Sequence, residues 1–167
     1  HLCVREYVGV FDVSHMGEFM VSGHAATALL QHITSNNVAA LAIGDAQYAY
    51  MPNNNGGVVD DLLVYRLEDE KYMLVVNASN LSKDWDGLTV QNKDFGANIE
   101  NKSDSYALLA VQGPKAHALM KRLTTIDTAV QKSFSVVETS VASVAHVFVA
   151  TTGYTGAGGV ELYVPVA

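Results

Sequence analysis

The sequence has 167 residues, of which 49% are hydrophobic and 16% are charged. A chain of this length and hydrophobic content can form a hydrophobic core, and its composition excludes a disordered chain. Its 10 Lys and Arg residues against 17 Asp and Glu residues give a net charge of -7, without a basic cluster that could bind a nucleic-acid backbone. The longest apolar stretches, at Val38–Ile43 and Val141–Ala150, are much shorter than the ~20 residues of a membrane-spanning helix, so neither nucleic acid nor a membrane is an expected partner.

Short runs of β-branched and aromatic residues predict strands near the start of the chain, at Val8–Asp12 and Glu18–Val21, connected through Ser14–Gly17. Ser22 and Gly23 then precede apolar residues at helical spacing, a pattern that predicts a helix with one buried face. The residues on this face are Ala25, Leu29, Leu30 and Ile33.

The hydrophobic period then changes from that of a helix to that of strands. Gln47–Met51 and Val58–Arg66 flank a segment of Pro, Asn and Gly residues at 52–57, which favours the turn of a hairpin. Tyr72–Val76 predicts a further strand beside it.

The second half of the chain mixes the two patterns. Helical spacing relates Leu81, Trp85, Leu88 and Val90, and a helix is predicted over Pro114–Leu123 because proline is tolerated in a first helical turn. The residues expected to face inward on this second helix are Ala116, Leu119, Met120 and Leu123. Strands are predicted at Asn98–Lys102, Tyr106–Gln112, Val144–Ala150 and Val160–Val164. Short strands with few helices and several hairpins predict an α+β fold with largely antiparallel sheets.

Two familiar kinds of catalytic centre are disfavoured. Asp12, Ser14 and His15 have the residue types of a catalytic triad, but alternate residues of an extended segment point to opposite faces, so His15 cannot meet both partners. The six histidines are scattered, and the single cysteine, Cys3, can complete neither an intramolecular disulfide nor a thiolate metal site. We therefore expect no metal and a reducing compartment.

The most informative feature is a pair of carboxylates inside an apolar strand. Alternation places Asp60 on the face of Val58 and Leu62, and Asp61 on the face of Leu63 and Tyr65, so neither acid has an obviously solvated side. A desolvated acid is a candidate site residue. The alternative is a carboxylate that the backbone amides of the adjoining turn satisfy.

The glycine-rich segment Gly153–Gly159 looks at first like a phosphate-binding loop. No Lys-Ser or Lys-Thr pair ends it, and a strand pattern follows it instead of a helix, so it is not a P-loop. Two interpretations stay open, a tight hairpin turn or a loop that lets a flat ligand approach the backbone, and Tyr154 in its centre is the residue of interest.

Five motifs in a fixed order carry a family resemblance. They are Phe11–Phe19 (FDVSHMGEF), Gly56–Tyr65 (GGVVDDLLVY), Val76–Asn80 (VNASN), Val111–Pro114 (VQGP) and Gly153–Gly156 (GYTG). Over nearly its whole length the chain resembles the aminomethyltransferases, the T-proteins of the glycine cleavage system.

The resemblance implies a reaction and its participants. An aminomethyl group on the dihydrolipoyl arm of H-protein passes to tetrahydrofolate, ammonia is released, and no metal takes part. It also implies that Asp61 contacts the folate at the reacting nitrogens and assists proton transfer. We assign Asp60 a structural role. Glu161 would hold the pterin edge, and the full set of implied folate-binding residues is Met16, Tyr48, Tyr65, Asn77, Tyr154 and Glu161.

The resemblance further implies that this chain is a partial folate-binding domain. Residues of about 20–105 would form a ferredoxin-like lobe, and residues 1–19 and 106–167 would be parts of a second antiparallel lobe. Relatives have additional sequence on both sides, including arginines that bind the folate, so we expect the 167-residue chain alone to be an inactive fragment.

Ala157 stands where the family commonly has an acidic residue. No targeting signal is visible, and we expect a cytoplasmic protein in a bacterium or a matrix protein in a mitochondrion.

Other folate-binding classes offer an alternative function without aminomethyl transfer. One is the folate-binding part of a sarcosine or dimethylglycine oxidising enzyme, and another is an iron–sulfur or RNA maintenance factor. A maintenance factor has no need of the acid at position 61, whereas aminomethyl transfer uses it.

Overall fold

The computed structural model describes residues 1–166, and these form two compact units, each built around one five-stranded sheet. The central unit comprises His15–Ser103. The terminal unit comprises His1–Ser14 together with the described residues from Asp104 onward. The predicted α+β class with largely antiparallel sheets is confirmed. None of the helices in residues 1–166 combines the length and the apolar character that crossing a membrane would require.

In chain order, the helices and strands are α1 (Leu2–Glu6), β1 (Gly9–Asp12), β2 (Gly17–Ser22), α2 (Ala26–Ile33), β3 (Ala46–Pro52), β4 (Val58–Glu68), β5 (Lys71–Val76), α3 (Leu81–Asn92), β6 (Asn98–Asn101), β7 (Tyr106–Gln112), α4 (Ala116–Met120), β8 (Val136–Val141), β9 (Val144–Ala150) and β10 (Gly159–Pro165). Short 3-10 turns occur at Val38–Ala40, Ala78–Asn80 and Ser103–Ser105.

The sheet of the central unit has the strand order β3-β4-β5-β2-β6, and all of its pairs are antiparallel. One face packs with α2 and α3 into a single core, in which Leu62 and Val64 of β4 are buried. The Phe19 ring meets the Trp85 ring of α3 edge to face, with 5.0 Å between the ring centres. Since β4 alternates, Asp61 and Tyr65 lie on the other face of the sheet.

The terminal unit has the strand order β1-β7-β10-β9-β8, again antiparallel throughout. Its core joins one face of this sheet to α4, through Ala116 and Met120 of the helix and Val147, Val149 and Val160 of the strands. Strand β7 lies between β1 and β10, so the first and the last strand of the chain both pair with it.

The elements predicted in the first half of the chain are confirmed. The hairpin predicted around 52–57 is the β3–β4 pair, and β5 follows it in the sheet. In α2, the whole predicted apolar face is buried. Val90 of α3 differs, because 57% of it is exposed and it lies away from the core.

The helix predicted over Pro114–Leu123 is wrong in its extent, because α4 covers only Ala116–Met120. The chain leaves the α-helix through a tighter turn, in which the Leu123 N–H donates to the Met120 carbonyl three residues back, at 2.9 Å. Leu119 and Leu123 are half-buried against the core, so the apolar spacing that suggested a longer helix is satisfied without one.

Sequence patterns missed α1 and β8. Helix α1 has no buried residue, so it carries no apolar stripe. Strand β8 pairs with β9 across a turn at Ala142 and Ser143, whose φ angles are 49° and 71°. Such angles in a two-residue hairpin turn usually call for Asn or Gly, and this turn has neither.

Glu18 is a buried acid on β2. It is 0% exposed, and neither of its carboxylate oxygens has a hydrogen-bond partner among residues 1–166. Only its backbone is bonded, the N–H to the Ser103 hydroxyl and the carbonyl to the Lys102 N–H. Burial raises the pKa of Glu18 to about 8, which favours the neutral form of this side chain at pH 7.

We expect Glu18→Gln to flatten the pH dependence of stability. Between pH 4.5 and about 8 the unfolded chain releases the Glu18 proton while the folded chain keeps it, so the free energy of unfolding falls as pH rises through this window. The fall due to Glu18 should be about 1–3 kcal/mol, and it should be absent from the variant. Urea unfolding at a series of pH values measures it.

Glu70→Gln is the matched control, because Glu70 is an exposed acid in the turn before β5. It should keep the wild-type slope. An unchanged slope in Glu18→Gln would show that Glu18 is ionised in the folded protein.

Candidate functional site

The two adjacent acids of β4 have different environments. Asp60 is 4% exposed and lies on the face of the sheet that α3 covers. Asp61 is half-buried and lies on the opposite face. Strand alternation alone separates them, because neighbouring residues of a strand point to opposite sides.

Asp60 accepts three hydrogen bonds from residues that follow β5. The Asn77 backbone N–H and side-chain amide donate at 3.1 Å and 2.9 Å, and the Asn80 amide donates at 2.6 Å. Burial acts to raise the pKa of Asp60, but hydrogen bonds from Asp84, Asn77 and Asn80 outweigh it and hold the pKa below its usual value. Asp60 is therefore a buried carboxylate that keeps its charge.

Asn77 connects the two acids. Its side-chain Nδ2 lies 2.9 Å from Asp60 Oδ1, 3.1 Å from Asp61 Oδ1 and 3.0 Å from the Asp61 carbonyl oxygen. Asn77 directly follows β5, which pairs with β4 in the sheet, and it precedes the 3-10 turn that leads into α3. The position of the Asp61 carboxylate is thus tied to the bonds that Asp60 makes.

Tyr48 holds the other oxygen of Asp61. Its hydroxyl donates to Asp61 Oδ2 at 2.8 Å, and this bond is the chief cause of a raised pKa at Tyr48. The Tyr48 ring is 42% exposed and stands edge to face with the Tyr50 ring, 5.3 Å between centres. Asp61 is therefore fixed at both oxygens and still reachable, which suits a group that accepts a hydrogen bond or a proton from a ligand.

Met16 and Tyr65 belong to the same unit as Asp61. Met16 is half-buried and precedes Gly17, whose partner on β5 is Val76, the residue before Asn77. Met16 and Asn77 therefore lie at the same end of the β2–β5 pair. Tyr65 shares its face of β4 with Asp61 but is completely buried.

Tyr154 and Glu161 belong to the terminal unit. Tyr154 is fully exposed in the glycine-rich connection between β9 and β10. Glu161 is half-buried on β10 and accepts a hydrogen bond from the Thr152 hydroxyl. Burial raises the pKa of Glu161, and the bond from Thr152 acts in the opposite direction.

Gln112, at the end of β7, fixes the base of this glycine-rich connection. Its amide donates to the carbonyls of Thr152 and Val160 at 3.3 Å and 3.1 Å, and its carbonyl accepts from the Thr155 hydroxyl at 2.9 Å. Gly153 has φ 150°, and a Cβ there would lie 2.2 Å from Gln112 Oε1, so only glycine fits this close approach.

Sequence reasoning missed Asn80, Asp84 and Gln112 as contributors. Asn80 and Asp84 are four residues apart at the start of α3, so they lie one helical turn apart, a spacing that could have drawn attention to them. Gln112 gives a plainer signal, because it is the polar end of an otherwise apolar strand directly before Gly-Pro.

The chain matches the family model described as the GCVT N-terminal domain over residues 1–167. It is 55% identical over 163 residues to an aminomethyltransferase of Bacteroides thetaiotaomicron and 52% identical over 163 residues to one of Flavobacterium psychrophilum. Each match covers 98% of this chain and 45% of the relative, so the chain spans less than half the length of these curated relatives.

Two solved structures are similar. The glycine cleavage system aminomethyltransferase T from Bartonella henselae matches with a TM-score of 0.89 and 32% identity, over 99% of this chain and 44% of that one. A heterotetrameric sarcosine oxidase from Corynebacterium matches with a TM-score of 0.65 over 95% of this chain and 75% of that one. At 16% identity this second likeness shows the fold alone.

We expect Asp60→Asn to lower the free energy of unfolding by about 2–4 kcal/mol and Asp61→Asn to lower it by less than about 1 kcal/mol. Both oxygens of Asp60 accept N–H groups, so an amide nitrogen there must face a donor. At Asp61 the Tyr48 hydroxyl can rotate to accept from a new amide. Urea unfolding of both variants at pH 7 provides the comparison, and equal losses would contradict the different roles of the two acids.

Proposed function

The chain belongs to the GCVT N-terminal domain family, and we propose that its protein transfers the aminomethyl carbon from the dihydrolipoyl arm of H-protein to tetrahydrofolate. In this reaction the carbon–sulfur bond breaks and the sulfur leaves as a dihydrolipoyl thiol, while the nitrogen of the aminomethyl group leaves as ammonia. The carbon becomes a methylene bridge between two folate nitrogens, and the protons that these nitrogens lose balance those gained by the thiol and the ammonia. The observation that supports the proposal most directly is the Asp61 carboxylate, half-buried and held at both oxygens by Asn77 and Tyr48.

In the proposed mechanism, Asp61 accepts a hydrogen bond from a reacting folate N–H and takes its proton as the new carbon–nitrogen bond forms. Proton transfer of this kind requires an acid held in one geometry and within reach of ligand. Asn77 and Tyr48 supply that geometry. Asp60 does not face the ligand in this proposal, since it lies on the α3 side of the sheet.

The other residues that we propose to contact folate differ in how exposed they are in the structure. Met16, Tyr48 and Asn77 would line the ligand near Asp61, whereas Tyr65 is completely buried and would have to become exposed to touch it. Glu161 would accept paired pterin N–H groups, which favour its charged form against the effect of burial. Tyr154 would cover a flat face of the ligand, which its full exposure permits.

We expect Asp61→Asn to lower kcat by about 10²–10⁴-fold with a much smaller change in folate affinity, because an amide fills the space but does not take a proton. The measurement is formation of 5,10-methylenetetrahydrofolate from aminomethyl-loaded H-protein by the full-length gene product. Asp94→Asn, an exposed acid beyond α3, is the control for loss of one charge.

A wild-type kcat in Asp61→Asn would remove Asp61 from the reaction. Folate binding without any transfer by the wild-type protein would favour a binding module of another class. That the 167-residue chain alone is inactive stays a prediction, and the same assay tests it.

We expect Tyr154→Ala to raise the folate Kd by about 10-fold while the unfolding midpoint stays within about 2 °C. The side chain is fully exposed, so its truncation removes no packing in the folded protein. Tyr154→Phe is the matched control, because it keeps the ring and should keep most of the affinity. A lower midpoint with unchanged Kd would mean that Tyr154 has only a structural role.

A further inference from the structure

Asp84 is a buried acid that the proposed reaction does not use. It lies in the first turn of α3 and is 1% exposed. Among residues 1–166, no N–H or O–H group donates a hydrogen bond to either of its oxygens. Asp84 lies one helical turn after Asn80, whose amide donates to Asp60 Oδ1 at 2.6 Å, so it is brought close to the Asp60 carboxyl, and the two carboxyl groups shift each other's pKa.

Two carboxyl groups can share a hydrogen bond only when one of them carries a proton. Asp60 accepts three N–H groups from Asn77 and Asn80, and such bonds favour the charged form. Asp84 accepts none from residues 1–166, so no hydrogen bond there compensates a charge on it. The donors around the pair therefore place the proton on Asp84, which donates to Asp60.

The surroundings of Asp84 agree with this arrangement. Burial and the adjacent Asp60 raise the pKa of Asp84 to about 8, and Lys83 opposes this with a smaller effect. The Lys83 ammonium is bound to the Val59 carbonyl at 2.7 Å and to Asn80 Oδ1 at 2.9 Å. Helix α2, which packs against α3, has one titratable residue, His32, and its ring lies against Phe95.

We propose that Asp84 is a positioning residue: as the protonated partner of Asp60 it completes the set of donors that fixes Asp60, which in turn orients Asn77 and the Asp61 carboxylate. Two of the links are observed hydrogen bonds, from Asn77 Nδ2 to Asp60 and from the same nitrogen to Asp61. The third, from Asp84 to Asp60, is the bond that the proposal adds. Asp84 acts through Asp60 and Asn77 and does not touch the ligand. The effect on rate rests on the proposed function, whereas the position of the proton does not.

The kinetic test compares Asp84→Asn with Asp84→Ala in the full-length gene product. Asparagine keeps a donor for Asp60, so its kcat at pH 7 should be within about 3-fold of the wild type. Alanine leaves Asp60 without this donor, and kcat should fall by about 10–100-fold with little change in the KM for folate. Asp86→Ala, an exposed acid on the same helix, is the control.

The pH profile separates a positioning role from a merely structural one. Above pH 8 the wild-type Asp84 loses its proton and two carboxylates then face each other, so kcat should fall. Asp84→Asn has no such proton, and its kcat should not fall at that pH. Equal losses of kcat at pH 7 in the folded Asn and Ala variants would overturn the proposal, because the charge of Asp84 and not its donor would then be required.

A measurement without turnover tests the proton and the geometry directly. In a carbon-13 NMR titration of Asp carboxyl groups, the signal that disappears in Asp84→Asn should titrate near pH 8. The side-chain amide signal of Asn77 should shift in Asp84→Ala and stay in place in Asp84→Asn. A titration midpoint below about 5, or an unmoved Asn77 signal in both variants, would overturn the proposal even if the wild-type protein showed no aminomethyl transfer.

Discussion

The bridge made by the Asn77 side chain ties together two acids that strand geometry separates. Asp60 is held under α3 as a charged group, and Asp61 is held half-buried on the opposite face. A single amide nitrogen lies within 3.1 Å of a carboxylate oxygen of each. Asp60 and Asp61 lie on opposite faces of the sheet. Because Asn77 binds both, the orientation of Asp61 depends on the surroundings of Asp60.

A buried charge is costly unless it is fully hydrogen-bonded, and the central unit meets this condition with residues from one short stretch. The end of β5, the 3-10 turn and the start of α3 supply Asn77, Asn80 and Asp84. Because β5 pairs directly with β4, this stretch always begins beside the two acids. The same connection that closes the hydrophobic core therefore also provides the donors for Asp60.

The local sequence was sufficient to predict elements that have typical turn residues or regularly spaced apolar residues. The β3–β4 hairpin has Asn and Gly residues in its turn, and α2 has a full apolar stripe, so both were predictable. The β8–β9 hairpin was not, since Ala142 and Ser143 adopt positive φ angles without being Asn or Gly. There the pairing of two strands in the sheet dictates the turn.

The candidate site also has features that the sequence predicts and features that it does not. Two acids inside an apolar strand are visible in the sequence, and so is their separation onto two faces. Their partners are not visible, because Asn77, Asn80 and Asp84 lie 16 to 24 residues from the acids and meet them only through strand pairing. The roles of Asp61, Tyr154 and Glu161 in binding folate stay predictions.

The Gln112 side chain also limits the conformational freedom of the glycine-rich connection. It fixes Thr152 on one side of Tyr154 and Thr155 on the other, so only two residues lie between the anchored positions. The backbone there has little conformational freedom left to lose, while the exposed ring keeps its own rotations. If a ligand orders Tyr154, the entropy cost of binding is mainly that of immobilising this one side chain, about 0.5–1.5 kcal/mol. The cost of ordering a whole loop is avoided.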